Sequence, residues 1–296
     1  MSFISYSQNF EDVVLWRALG QVANGFYIDV GAWSPNLHSI TRAFYQHGWC
    51  GINIEPNAEY HQQLQQHRPR DCNLQLAVGA QAGFETMHIV ADTGLSTLDE
   101  TIAQQHQQAG WSLECRQVQV CTIEAIWCEH VPAAQPVHFL SVDVEGLETA
   151  VLRGLDWQRH RPWVVLVEAT WPNSQIESHQ AWEPILLAAG YRFAYADGLN
   201  RFYVAAEHAQ LLSAFKHPPN VFDAFVPARL HEAQSRAEQA DATAAAAQSR
   251  AEQADSAAAA AQSRAAAAEL LAAQLLSSRS WRITAPLRKI GHLFKP

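Results

Sequence analysis

Gly25-Phe26-Tyr27-Ile28-Asp29-Val30-Gly31 decides the fold. It is an apolar run closing on an acid and a glycine, which is how a strand buried on both faces reads. Cys50-Gly51-Ile52-Asn53-Ile54-Glu55 repeats the pattern. Leu74 to Val78 supplies a third strand, Val137 to Val142 a fourth, and Trp163 to Val167 a fifth that ends on Glu168. A helix precedes them at Glu11 to Leu19, and others fit between them at Ser39 to His47, closed by Gly48, and at Leu147 to Arg153. Alternation of apolar strands with helices predicts a parallel sheet covered on both sides. Tyr191 to Ala196 and Arg201 to Ala205 flank Asp197-Gly198-Leu199-Asn200, so the sheet should end in an antiparallel hairpin.

From about Ala228 the composition changes. Ala233-Gln-Ser-Arg-Ala-Glu-Gln-Ala-Asp recurs at Ala247, and Ala261-Gln-Ser-Arg opens a degenerate third copy. The period is two heptads, and Ala233, Ala237, Ala240, Ala244, Ala247, Ala251, Ala254 and Ala258 step by four and three, the spacing of a coiled-coil seam. Alanine is the best helix former, so residues 229–275 read as one helix about 70 Å long at ~1.5 Å per residue. The tail adds Thr284 as a cap, Pro286 in a first turn, and Leu287, Ile290 and Phe294 opposite Arg288, Lys289 and Lys295. Such a basic amphipathic segment suits an anionic membrane surface. The expected organisation is a globular domain at 1–228, a helix at 229–276 through which the chain could oligomerise, and a tail at 277–296.

The chain has 296 residues, is 48% hydrophobic, and carries a formal net charge of −9. That balance argues against nucleic acid as a partner, since phosphate contacts need an excess of Lys and Arg. Five cysteines form no Cys-x-x-Cys pair, so neither zinc nor a disulfide framework is expected, and buried reduced thiols are. No basic segment followed by an apolar run occurs in Met1 to Phe10, and no stretch approaches the ~18 apolar residues of a membrane span. The expected setting is the cytoplasm, with contact at the inner membrane face through the tail.

In an open parallel sheet, ligands bind beyond the carboxyl ends of the strands where strand order reverses. Asp29, Glu55 and Asp143 all stand at such ends. An adenosyl group needs its ribose hydroxyls held by a carboxylate, and Glu55, followed by Pro56, fits. The backbone at Gly31-Ala32 can approach a methionine moiety closely, with Asp29 favouring its cationic end. Asp29-Val30-Gly31-Ala32-Trp33-Ser34-Pro35 lacks the further glycines a pyrophosphate would want, which argues against a dinucleotide oxidoreductase.

Four ordered segments carry more specific information. Ser7-Gln8-Asn9-Phe10-Glu11-Asp12, Phe26 to Ala32, Gly48 to Pro56, and Phe139-Leu140-Ser141-Val142-Asp143-Val144-Glu145-Gly146-Leu147-Glu148 with Val151-Leu152-Arg153-Gly154 together resemble the FkbM family of methyltransferases. The resemblance covers residues 5 to 205. It implies a Rossmann-like class I methyltransferase fold, finished by the hairpin, and S-adenosylmethionine as donor to a hydroxyl. It implies Asp29, Gly31 and Glu55 as cofactor residues, with Gln8 and Asp12 close by and Asp143, Glu145 and Glu148 on the acceptor side. Trp33-Ser34-Pro35 departs from a pattern that elsewhere has a polar residue and another glycine.

An alcohol is a weak nucleophile until its proton leaves, and a positioned base contributes about 10²–10⁴-fold. Glu145 is the first candidate, then Asp143 and His38, with His88 behind them. No metal is predicted; a divalent ion held by Asp143 and Glu168 stands as an alternative. The acceptor is expected to be a sugar or glycan hydroxyl in bacterial surface-polysaccharide or lipopolysaccharide assembly, because Ser280 to Arg288 resembles segments of glycan-building enzymes. The rivals are methylation of a polyketide-like molecule and a non-catalytic scaffold acting through its helix.

Overall fold

The computed structural model describes residues 3–91 and 93–287. They divide into two units, Met1–Ala228 and Arg229–Pro296. In the first unit, β1 (Phe3–Ser5) and α1 (Glu11–Leu19) precede β2 (Phe26–Val30), α2 (Arg42–Gln46), β3 (Cys50–Ile54), α3 (Ala58–His67) and β4 (Cys72–Leu74). An excursion follows, through β5 (Ala77–Val78), β6 (Gly83–Val90), α4 (Glu100–Gln108), β7 (Leu113–Cys121) and α5 (Ile123–His130). The chain then returns through β8 (Phe139–Val142), α6 (Glu148–Arg153), β9 (Val164–Glu168) and α7 (Glu183–Ala188) to β10 (Tyr191–Ala196), β11 (Asn200–Ala205) and β12 (Phe225–Pro227).

Seven strands form the central sheet in the order β10-β11-β9-β8-β2-β3-β4. β4, β3, β2, β8 and β9 run parallel, and β11 and β10 add the antiparallel hairpin expected from sequence. The chain builds outward from β2 through β3 to β4, then resumes at β8 on the other side of β2. The switch point therefore lies between β2 and β8, where a crevice must open.

Strand periodicity assigns each residue a face. Ile28, Val30, Ile52, Leu140, Val142, Val165 and Val167 pack with Ile126, Val151, Leu152 and Leu186 from α5, α6 and α7. Tyr27, Phe139, Val164, Leu166 and Phe202 pack on the other side with Val14, Leu15 and Leu19 of α1 and Phe44 of α2. Every residue of β2, β8 and β9 is buried, which is why those strands read as unbroken apolar runs.

Two expectations need correction. The run Leu74 to Val78 is not one strand. Leu74 pairs with Ile54 in the central sheet, whereas Ala77 and Val78 pair with Val120 and Cys121 in a three-stranded sheet of order β5-β7-β6. The second helix starts at Arg42, because the hydroxyls just before it bond elsewhere: Thr41 donates to Asp29 at 3.1 Å, and Ser39 accepts from Arg68 at 3.0 Å. The excursion from β5 to α5 had no counterpart in the sequence reading.

In the second unit, α8 (Ala228–Ser277) is a 50-residue helix with no buried residue, followed by α9 (Arg279–Ile283). Its alanine seam offers little area per residue, so intrinsic propensity carries it. Arg288, Lys289, Ile290, Phe294 and Lys295 lie outside the described residues. Among the described residues no helix is long and apolar enough to cross a membrane.

Candidate active site

A cavity of about 480 Å³ opens at the switch point, within the range of small-molecule sites. Its floor is the ends of β2, β3 and β8, which bring Asp29, Gly31, Glu55 and Asp143 to one wall. The excursion supplies another wall, with Met87, Leu98 and Trp111, and Tyr60 of α3 closes a side. Gly31 shows how tightly the strand ends meet. It has φ +84°, and a Cβ built there would lie 1.7 Å from the Asp143 carbonyl oxygen. No other residue fits.

Backbone strain concentrates here. Trp33 (φ 42°), His38 (φ 54°) and Glu145 (φ 51°) line the cavity in left-handed conformations that non-glycine residues seldom adopt. The turn holding Glu145 is pinned from both sides: Thr97 Oγ1 donates to the Glu145 carbonyl at 3.0 Å, and the Gly146 N–H donates to Glu148 at 3.0 Å.

The site is strongly acidic. Among the described lining residues there is no lysine or arginine. Burial pushes the Asp29 carboxyl up to about 6, against the Thr41 hydrogen bond. Burial raises Glu55 to about 7, although the Asn57 and Trp33 N–H groups donate to its two oxygens at 2.7 and 2.9 Å. Glu11, buried beside Asp197, also rises to about 7, and it accepts from Asn200 at 2.9 Å. Asp143, Glu145 and Glu168 bring carboxylate oxygens within 4.8 Å of one another. Burial, then the charges of Asp143 and Glu148, lift Glu145 to about 9. Burial and Asp143 push Glu168 up to about 12. Asp143 opens onto the cavity whereas Glu168 is 6% exposed. Burial raises Asp143 as well, against the hydrogen bond from Glu168 that lowers it, and the same bond raises Glu168 further.

Gln8, Asp29, Gly31, Ala32, His38, Glu55, Pro56, Asp143 and Glu145 all line the cavity. Asp12 does not. It is wholly buried, accepting from the Ser5 and Ser7 hydroxyls at 2.6 and 2.7 Å and from the Tyr6 N–H at 2.7 Å, so it holds the turn that presents Gln8. Glu148 likewise sits behind the wall, bound to Gly146. His88 lies on β6 beside Cys115, away from the lining. The sequence reading missed Glu11, Asn200, Tyr60 and Trp111. Asn200 stands opposite Glu168 in the β11–β9 register and was hidden in what read as a simple turn.

The cavity tests the cofactor classes directly. A pyrophosphate would meet carboxylates and, among the described lining residues, no lysine or arginine. A ligand carrying a sulfonium and an ammonium would relieve their mutual repulsion. Buried Oε2 of Glu145 and Nε1 of Trp33, both in lining residues, have no protein partner and are available to a ligand. The residues therefore fit S-adenosylmethionine. The pattern of the methyltransferase FkbM domain matches residues 29–193, more than half of the chain. The chain belongs to the FkbM methyltransferase family. Membership implies S-adenosylmethionine as cofactor.

Among solved structures, the methyltransferase FkbM from Methylobacillus flagellatus KT is similar at 14% identity and TM-score 0.38, over 64% of this chain and 47% of that one. A TehB-like SAM-dependent methyltransferase from Corynebacterium glutamicum ATCC 13032 Kitasato is similar at 6% identity and TM-score 0.36, over 66% of this chain and 87% of that one. The chain thus spans about half the length of the first. No curated protein matches it.

Proposed function

We propose that the chain is an S-adenosylmethionine-dependent O-methyltransferase acting on a sugar hydroxyl in bacterial surface-polysaccharide or lipopolysaccharide assembly. The observation that carries the reading is the acidic crevice between β2 and β8, lined by Asp29, Glu55 and Asp143 with no lysine or arginine among the described lining residues. S-adenosylmethionine supplies an electrophilic methyl group on a positively charged sulfur. Glu55 holds ribose hydroxyls, the Gly31-Ala32 backbone and Asp29 take the methionine end, and Gln8 lies beside it.

Asp143 is the better proton acceptor in the unliganded chain. Its side chain reaches the cavity, and the Glu168 hydrogen bond works against the burial that raises it, whereas Glu145 retains its proton near neutral pH and can donate a hydrogen bond. His38, which also lines the cavity beside Trp33 at 5.9 Å between ring centroids, is next in line. A sugar is supported by the lining chemistry: carboxylates accept hydrogen bonds from hydroxyls, and Trp111 and Tyr60 offer flat apolar faces.

The test is transfer of labelled methyl groups to sugar nucleotides and lipid-linked glycans, with polyketide-like alcohols in parallel. Asp143→Asn should cut turnover by about 10²-fold or more, and Glu145→Gln by less than about tenfold. The reverse order would make Glu145 the base. Labelling of polyketide-like alcohols alone would remove the sugar.

A further inference from the structure

Away from the crevice, three side chains converge that the methyl-transfer reading does not use. Glu124 and Cys128 stand four residues apart on α5 and so share a helix face. His160, 9% exposed, faces them from the segment after α6. The His160 Nε2 lies 3.0 Å from Glu124 Oε1 and 3.9 Å from Cys128 Sγ, and that Sγ lies 3.8 Å from the same carboxylate oxygen. One nitrogen thus meets both partners, which is not the relay of a nucleophile, base and acid, where the ring would use its two nitrogens. The two sulfur separations are too long for strong hydrogen bonds.

We propose that Glu124, Cys128 and His160 form a zinc-class metal site. Tetrahedral coordination at the usual zinc bond lengths places such atoms about 3.3 Å apart for N···O, about 3.5 Å for S···O and about 3.6 Å for N···S. The observed edges match those values to about 0.3 Å each. A thiolate, an imidazole and one carboxylate select zinc or another borderline-soft divalent ion over magnesium or calcium. Outer contacts hold the ligands ready. The Asp156 N–H donates to Glu124 Oε2 at 3.0 Å, and the His160 ring packs 4.8 Å from Trp127 between centroids. Arg159 lies 3.3 Å from Glu124 Oε1, but its side chain is 65% exposed and can turn to water. Cys128 is exposed and borders a second cavity with Trp127 and Val131, which leaves a fourth position for water. On binding, Cys128 releases its thiol proton to solvent as the sulfur–metal bond forms. The ion would pin α5 to the segment following α6. The missing Cys-x-x-Cys spacing hid this arrangement, because the fold assembles the ligands across 36 positions.

Cobalt(II) titrated into the full chain, first stripped with a chelator, reads the site directly. One equivalent should produce thiolate-to-cobalt charge-transfer absorption, which zinc then removes by displacement. Cys128→Ser should abolish the band, and His160→Gln should weaken cobalt binding roughly tenfold or more. Asp143→Asn should leave both unchanged, which separates this site from the carboxylates of the crevice. Circular dichroism of each variant confirms that it is folded. A folded parent chain without the band refutes the proposal. So does a band that survives Cys128→Ser, which would assign the thiolate to another cysteine such as Cys115, 3.5 Å from His88.

Discussion

Glu168→Gln isolates the most perturbed group in the crevice. In the unfolded chain this carboxyl ionises near 4.5, and in the fold it keeps its proton to about 12. Between those values the folded state carries one proton more than the unfolded state at this position. Stability from this group is therefore complete below pH 4.5 and lost progressively as pH rises. Each pH unit is worth about 1.4 kcal/mol, so from pH 6 to pH 8 the loss reaches up to about 2.7 kcal/mol. Glutamine removes the titration, retains the shape, and still offers an N–H to Asp143. Urea unfolding of both proteins at pH 6, 7 and 8 should give a shallower fall for the variant, by up to about 1.4 kcal/mol per unit. Equal slopes refute the reasoning, because Glu168 would then be ionised in the native chain and neutralised by a cation. Magnesium would in that case stabilise the parent and not the variant.

Glu55→Ala should weaken S-adenosylhomocysteine binding by about 1.5–3 kcal/mol, measured by calorimetry, through loss of charge-assisted hydrogen bonds. Gly31→Ala should lower the melting temperature and abolish cofactor binding together, since its Cβ meets the Asp143 carbonyl and its φ is unfavourable. Residues 229–275 should be strongly helical by circular dichroism. Their removal should lower the oligomeric state in ultracentrifugation if the alanine seam pairs, and an unchanged state would make the helix a spacer. Deleting 277–296 should reduce co-sedimentation with anionic liposomes and leave cofactor binding intact.

The sequence made legible what depends on short range. β2, β3, β8 and β9 are apolar runs because both their faces are covered, and the acids that end β2 and β8 are neighbours because those strands flank the switch point. Gly31 read as a site of close approach, and the structure supplies the approaching atom. Legibility failed where one segment serves two partners. Leu74 and Ala77 lie within one apolar run, yet they belong to different sheets. It failed again for polar residues whose role is set by depth. Asp12 and Glu148 look like site acids in one dimension, but their hydrogen bonds point into the turns that carry Gln8 and Glu145. The proposed preference for Asp143 over Glu145 as base has the same origin. Sequence places both beyond one strand; only in the fold do burial and the charges of Asp143 and Glu148 raise Glu145 to about 9. An acidic crevice of this kind is poised by its own repulsion. Every carboxyl raised toward neutrality becomes a stronger acid once a positive ligand enters, so donor binding should itself release protons. Calorimetry in buffers of different ionisation enthalpy would count them. A count of zero at pH 7 would mean that these carboxyls are already ionised before the donor arrives, and that the field inferred from their burial is compensated elsewhere.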